Sequence, residues 1–108
     1  MIFKIAEIPE IKIRNQKNYH GPGEYIGRPS FLGNPFQIGK DGTRTEVIEK
    51  YKTYFYSRLS SDVQFQDYMI RLAAELKKIN SLNLICWCNP LPCHGDIIKQ
   101  LLLELTDE

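Results

Sequence analysis

Leu82-Asn83-Leu84-Ile85-Cys86-Trp87-Cys88 is the stretch whose reading decides the fold. It is mostly apolar and bounded by Asn80 and Pro90, the pattern of a buried strand. Asn89-Pro90-Leu91-Pro92 follows, then Cys93-His94-Gly95-Asp96, and then Ile97, Ile98, Leu101, Leu102 and Leu105 at helical spacing. A strand, a Pro-rich turn and a helix form half of a βαβ unit. In open α/β sheets the ligand site lies beyond the carboxyl ends of the strands, facing helix N-termini. Cys88 to Asp96 occupies that place.

Upstream of the strand, two helices are expected. Thr43-Arg44-Thr45-Glu46 is a capping-box pattern, and Val47, Ile48, Tyr51, Phe55 and Leu59 then recur on one face. Ser60–Asp62 breaks that helix and starts a second, with Phe65, Tyr68 or Met69, Leu72, Ala73 and Leu76 inward and an end near Asn80. The first 15 residues read as one or two strands, with Ile11 and Ile13 in alternation. Between them and Thr43 runs a loop near 25 residues long. It holds Gly21, Gly23, Gly27, Gly33, Gly39 and Gly42, interleaved with Tyr25, Ile26, Phe31, Leu32, Phe36 and Ile38. The apolar side chains predict an ordered loop pinned to the core. The expected fold is a small Rossmann-like α/β sandwich of two or three layers, with a mostly parallel sheet and about three helices.

The 108 residues suit a single domain, residues 1–108. With 43% hydrophobic and 25% charged residues, the composition is that of a soluble globular protein. No apolar run approaches the roughly 20 residues of a bilayer span, and Glu7 and Glu10 break any signal-peptide layout at the N-terminus. A cytoplasmic location is therefore expected, in a cell or in an infected host. All three cysteines fall within Cys86 to Cys93, too close together to staple distant segments, and read as reduced thiols of one local site. The net charge of +1 argues against an extended nucleic-acid surface. Residues 1–44 carry seven Lys/Arg against four Asp/Glu, and the remainder seven against nine, which favours a local anion site near Arg14, Arg28 and Arg44.

Two constellations carry the chemistry. In a strand, Cys86 and Cys88 point to one face and Trp87 to the other, where it is expected in the core. Cys93, His94 and Asp96 fall at a helix start, where amide N–H groups and the helix dipole favour negative charge. Cys93 is thus a candidate thiolate, His94 a proton relay or phosphate donor, and Asp96 a partner for His94, a cap or a base. Packing of small core cysteines and a zinc site of Cys86, Cys88, Cys93 and His94 compete with this reading. The zinc arrangement lacks a C-x2-C knuckle, and the adjacent Cys93 and His94 suit one ion poorly. In the second constellation, Gly27 and Gly33 permit close backbone approach, Arg28 offers a planar fork, Ser30 a hydroxyl and Asn34 both donor and acceptor. Arg44 adds a cation at the first helix start. There is no G-K-[ST], so this is not a Walker motif. His20 reads as a surface residue and Tyr25 as an aromatic plug or a base-stacking ring.

The stretches YIGRPSFLGNPFQIGKDGTRTEVIEKY (25–51) and LICWCNPLPCHGDII (84–98) resemble the signature of family 4326 of the domains of unknown function, small proteins of bacteria and phages. The resemblance runs from roughly Ile11 to Leu102. It rests on Gly27, Arg28, Ser30, Leu32, Gly33, Asn34, Pro35 and Phe36, on Gly42, Thr43 and Arg44, and on Cys86, Trp87, Cys88, Cys93, His94, Gly95 and Asp96. It implies that both motifs belong to one site and supplies no activity.

The leading functional expectation is binding of a phosphorylated, nucleotide-derived small molecule. Gly27, Arg28, Ser30, Gly33, Asn34, Arg44 and Cys88 would form the binding set, and the Cys93–Asp96 helix start would hold a second anionic group. For a phage protein, a natural use is to sequester a nucleotide signal of host defence. The alternatives are an enzyme of nucleotide or nucleoside metabolism using Cys93, His94 and Asp96, and a zinc-stabilised interaction module. The leading reading requires no cofactor and no metal; a homo-oligomer is compatible with it.

Overall fold

The computed structural model describes residues 9–88 and 91–106. The denser apolar run before Pro9 and the turn residues Asn89 and Pro90 lie outside them. The elements run β1 (Glu10–Asn15), β2 (Glu24–Tyr25), α1 (Arg44–Ser61), α2 (Val63–Ile79), β3 (Ser81–Cys86) and α3 (Gly95–Thr106). The last strand in the chain is the central one: the sheet order is β1-β3-β2, and both pairings are parallel. Three helices and a parallel sheet make this a small α/β fold, as the strand–turn–helix reading of residues 82–105 predicts.

Register explains which face is covered. Ile11 pairs with Leu82 and Ile13 with Leu84, so these four side chains and Cys86 share one face. Ile11, Leu84 and Cys86 join one core cluster with Tyr51 and Phe55 of α1, Phe65, Met69 and Leu76 of α2, and Ile98 and Leu102 of α3. Lys12, Arg14 and Asn83 alternate onto the other face, where Arg14 Nε donates to Asn83 Oδ1 at 3.0 Å and the guanidinium stacks on Tyr19. Among the described residues the helices therefore cover one side of the sheet, giving two layers.

The caps mark the joints. Thr43 accepts from Glu46 N and Glu46 returns a carboxylate oxygen to Thr43 N, completing the capping box at α1. Asp62 ends α1 and begins α2, accepting from Phe65 N while pairing with Arg58 at 3.0 Å. Asn80 closes α2 in the left-handed region at φ 66°, where its N–H reaches Leu76 O.

One boundary differs from the expected one. The strand ends at Cys86 rather than Cys88, because its neighbour runs out: Asn15 is the last partner, and the chain then turns with Asn18 N and Tyr19 N donating to Asn15 O. Released from the ladder, Trp87 leaves the core and is 54% exposed. The long loop is ordered in part by the side chains expected to pin it. Ile26 and Leu32 are fully buried in the core cluster, whereas Ile38 stands in solvent.

Candidate functional site

Because the sheet is parallel, β2 and β3 end on the same side, and the chain leaving each enters one cavity of about 490 Å³. Gly27 and Arg28 come from the end of β2, Cys86, Trp87 and Cys88 from the end of β3, Arg44, Val47 and Ile48 from the start of α1, and Cys93 and His94 from the approach to α3. The two sequence motifs thus meet at the strand ends, where α/β sheets place their ligands.

A relay of hydrogen bonds joins them. Trp87 Nε1–H donates to Tyr25 Oη at 2.9 Å, and Tyr25 O–H donates to Arg28 O at 3.0 Å. Tyr25 folds back over Gly27, where a Cβ would run into the phenol ring; this close approach is why glycine stands there. A turn follows, closed by Ser30 N donating to Gly27 O at 2.8 Å, with the Arg28–Pro29 peptide cis. Gly33 packs against that turn, its missing Cβ 3.1 Å from the carbonyl oxygens of Gly27 and Ser30. Asn34 then ties the loop to α1, donating from Nδ2 to Val47 O at 3.3 Å and accepting from Phe36 N at 2.9 Å.

Arg28 and Arg44 stand at the mouth. Arg28 is exposed, with one long bond of 3.5 Å to Asn34 O; Arg44 is half-buried and donates to Pro92 O at 3.1 Å. Among the described residues neither is in an ion pair, and no carboxylate lines the cavity.

The floor is closed and apolar around one imidazole. His94 is 7% exposed, and its Nε2 lies 2.6 Å from Ile26 O. A carbonyl oxygen only accepts, so Nε2 carries the proton. Tyr51 stands edge-on to the ring at 4.9 Å between centroids, held by its own O–H donating to Leu32 O at 2.7 Å. Burial first, and then the positive charge of Arg28, hold the His94 pKa below its ordinary value.

The cysteines behave otherwise than a helix start predicts. Cys93 is buried with its sulfur 3.4 Å from that of Cys86, and that contact together with burial pushes the thiol pKa up, not down. The expected helix-start stabilisation is present in Gly95 N–H, which reaches Cys93 Sγ at 3.3 Å, but it is outweighed. Asp96 turns back to accept from Cys93 N at 3.3 Å and is a cap. Asp96 N donates to Cys93 O and Ile97 N to His94 O, so these helix-start amides are spent within the protein. An anion at the Cys93–Asp96 helix start would have to displace these bonds. Among the described residues no group of three or more His, Cys, Asp or Glu side chains is placed to hold a metal.

Of the expected binding set, Gly27, Arg28, Asn34, Arg44 and Cys88 line the cavity. Ser30 and Gly33 lie behind its wall, and Ser30 Oγ is buried with no partner. Trp87 belongs to the site although its apolar neighbours suggest core. Phe36, Gln37 and Ile38 join it through the turn at residues 37–42, where Asp41 accepts from Gln37 N at 2.8 Å.

Fold and cavity together define a small α/β protein with a ligand-sized pocket at the carboxyl ends of parallel strands. The chain belongs to the family described as a domain of unknown function, DUF4326, which matches residues 11–104. It is also 37% identical over 81 residues to an uncharacterized 12.4 kDa protein from the nrdA-td intergenic region of Enterobacteria phage T4, an alignment covering 74% of this chain and 67% of that one. No solved structure matches the chain. None of its described helices is long and apolar enough to cross a membrane.

Proposed function

We propose that this protein binds a phosphorylated, nucleotide-derived small molecule in the cavity between its two motifs. The observation that carries the proposal is the pair Arg28 and Arg44 facing one space of about 490 Å³ that no carboxylate among the described residues lines. Planar guanidinium forks match phosphate oxygens in geometry as well as charge. The volume is that of a small-molecule site, roughly 300–1,000 Å³. Trp87, exposed at the rim and oriented by Tyr25, offers an aromatic face for a base. Sequestration of a host nucleotide signal is the use we assign it in a phage setting, on the strength of the phage T4 relative. Turnover is not part of the proposal: contact with the Cys86 sulfur and burial push the Cys93 thiol pKa up, and the Asp96 carboxylate accepts from Cys93 N.

Calorimetric titration with nucleoside mono-, di- and triphosphates tests it. Wild-type protein is expected to bind at least one of them, and Arg28→Ala to weaken that binding by about tenfold to a hundredfold, the equivalent of roughly 1.5–3 kcal/mol for a charge-assisted bond. No heat with any of them, or equal affinity in a well-folded Arg28→Ala protein, removes the proposal.

A further inference from the structure

We infer that His94 is a hydrogen-bond acceptor within the cavity, so that the ligand presents a hydroxyl or N–H donor to the floor while its anionic group lies at the Arg28–Arg44 mouth. The inference rests on the anion-binding reading above and adds polarity to it: the two ends of the site take opposite kinds of group.

The geometry of one ring carries it. Nε2–H is committed to Ile26 O at 2.6 Å, which fixes the tautomer as long as the ring is neutral. The second nitrogen, Nδ1, is then a bare lone pair. Among the described residues no donor reaches Nδ1, and the atom keeps some exposure, unlike Ser30 Oγ, which is enclosed without a partner. Nδ1 is therefore not wholly enclosed, and the open space that His94 lines is the cavity, although the residue as a whole is 7% exposed. A polar atom on so buried a side chain, facing a ligand-sized space without a protein partner, is a place for a ligand atom.

What kind of atom follows from charge. A phosphate oxygen brought against a lone pair meets repulsion and no proton. The helix-start amides of Asp96 and Ile97 donate within the protein, and Gly95 N–H points to the Cys93 sulfur. The floor thus rejects anions and accepts O–H or N–H. Burial and the neighbouring Arg28 charge both oppose protonation, which keeps the lone pair in place near neutral pH. Ligands that satisfy both ends carry a phosphate and, separately, a donor: a nucleoside monophosphate with its hydroxyl and amino groups does, and inorganic pyrophosphate at alkaline pH does not.

Two measurements on the same protein test this. First, long-range nitrogen–proton correlation spectra of the imidazole in wild-type protein near pH 8 are expected to show a protonated Nε2 and an unprotonated Nδ1. On adding nucleoside monophosphates, Nδ1 is expected to move in the direction of an accepted hydrogen bond; on adding pyrophosphate it is expected to stay. Second, Trp87 is the single tryptophan of the chain, so its fluorescence reports occupancy of the rim. By that signal, His94→Gln, which retains a donor for Ile26 O, is expected to lose about tenfold in affinity for nucleoside monophosphates while changing less than about twofold for pyrophosphate. An Nδ1–H tautomer, an imidazolium at pH 8, or equal losses for both probes overturns the acceptor assignment. If neither probe and no nucleoside di- or triphosphate binds wild-type protein, the phosphate-binding reading fails, and the tautomer spectrum still decides the state of His94. Should His94→Gln not fold, the wild-type spectra with the two probes remain decisive.

Discussion

At the mouth of the cavity Arg28 is exposed and tied by one 3.5 Å bond and Arg44 by one of 3.1 Å, while Trp87 stands more than half in solvent. At the floor His94, Cys86 and Cys93 are buried, bonded to backbone or to one another, and backed by Tyr51. Both sets line one space, yet they answer to different constraints. The mouth gives up internal partners and keeps its charge available. The floor spends its polar atoms on its own scaffold and leaves a single nitrogen outward. Removing a floor residue should therefore cost stability, and removing a mouth residue should cost binding alone.

The widest separation is expected for Tyr51→Ala. It deletes a fully buried ring, the bond to Leu32 O and the wall beside His94, and should lower unfolding free energy by about 3–5 kcal/mol in urea titrations. A loss under about 1 kcal/mol would show that the floor is not the packed scaffold described. Asn34 sits between the two regions, lining the cavity while bonded to Val47 O and Phe36 N. Asn34→Ala should cost about 1–3 kcal/mol by the same measurement, placing it with the floor; an unchanged urea midpoint would place it with the mouth.

The pH dependence sharpens the contrast further. A histidine whose folded pKa is depressed is neutral in the native state at pH values where the unfolded chain, with its ordinary pKa of about 6.5, already binds a proton. The groups facing the ring are Arg28 from the loop, Tyr51 from α1 and Asp96 from the start of α3. Stability should thus fall as pH drops below about 6.5 and continue to fall towards the depressed pKa. Urea midpoints at about pH 7.5 and about pH 5.5 should differ more in wild-type protein than in His94→Gln. Equal shifts would mean that His94 titrates normally. The depressed carboxyls of Glu46 and Asp62 contribute in the same direction but lower, below the usual carboxylate range. The smallest effect on stability belongs to Arg28→Ala, within about 0.5 kcal/mol of wild type; a larger loss would mean that the mouth is structural too.

How far these regions are legible in sequence differs as well. The Thr43–Glu46 box, the Asp62 break and the apolar run of β3 are local patterns, and each element forms where its pattern says except at the carboxyl end of β3. The convergence of Arg28 with His94 follows from one inference about strand ends. Trp87 is misplaced by sequence because the end of β3 is set by where its neighbour β1 turns away at Asn15, 72 residues earlier in the chain. The Cys93 thiol is misjudged for a related reason. A helix start predicts depression, and only the fold brings the Cys86 sulfur to 3.4 Å. Gln37 carries no sequence signal, and Ile38 reads as a pin to the core; a turn closed on Asp41 delivers both to the cavity.

The sheet order has a bearing on biosynthesis. Among the described residues β1 and β2 flank β3, and each pairs with it alone. A nascent chain that has left the ribosome only as far as Asn80 holds β1 and β2 without the strand they pair with among the described residues, beside a helical hairpin whose contacts are already local. Sheet formation must wait for residues 81–86, and closing β1 onto them spans most of the chain, the kind of long-range pairing that slows folding. The α1–α2 hairpin is then the natural early unit, and the cavity comes into being last, with the strand end that carries Trp87.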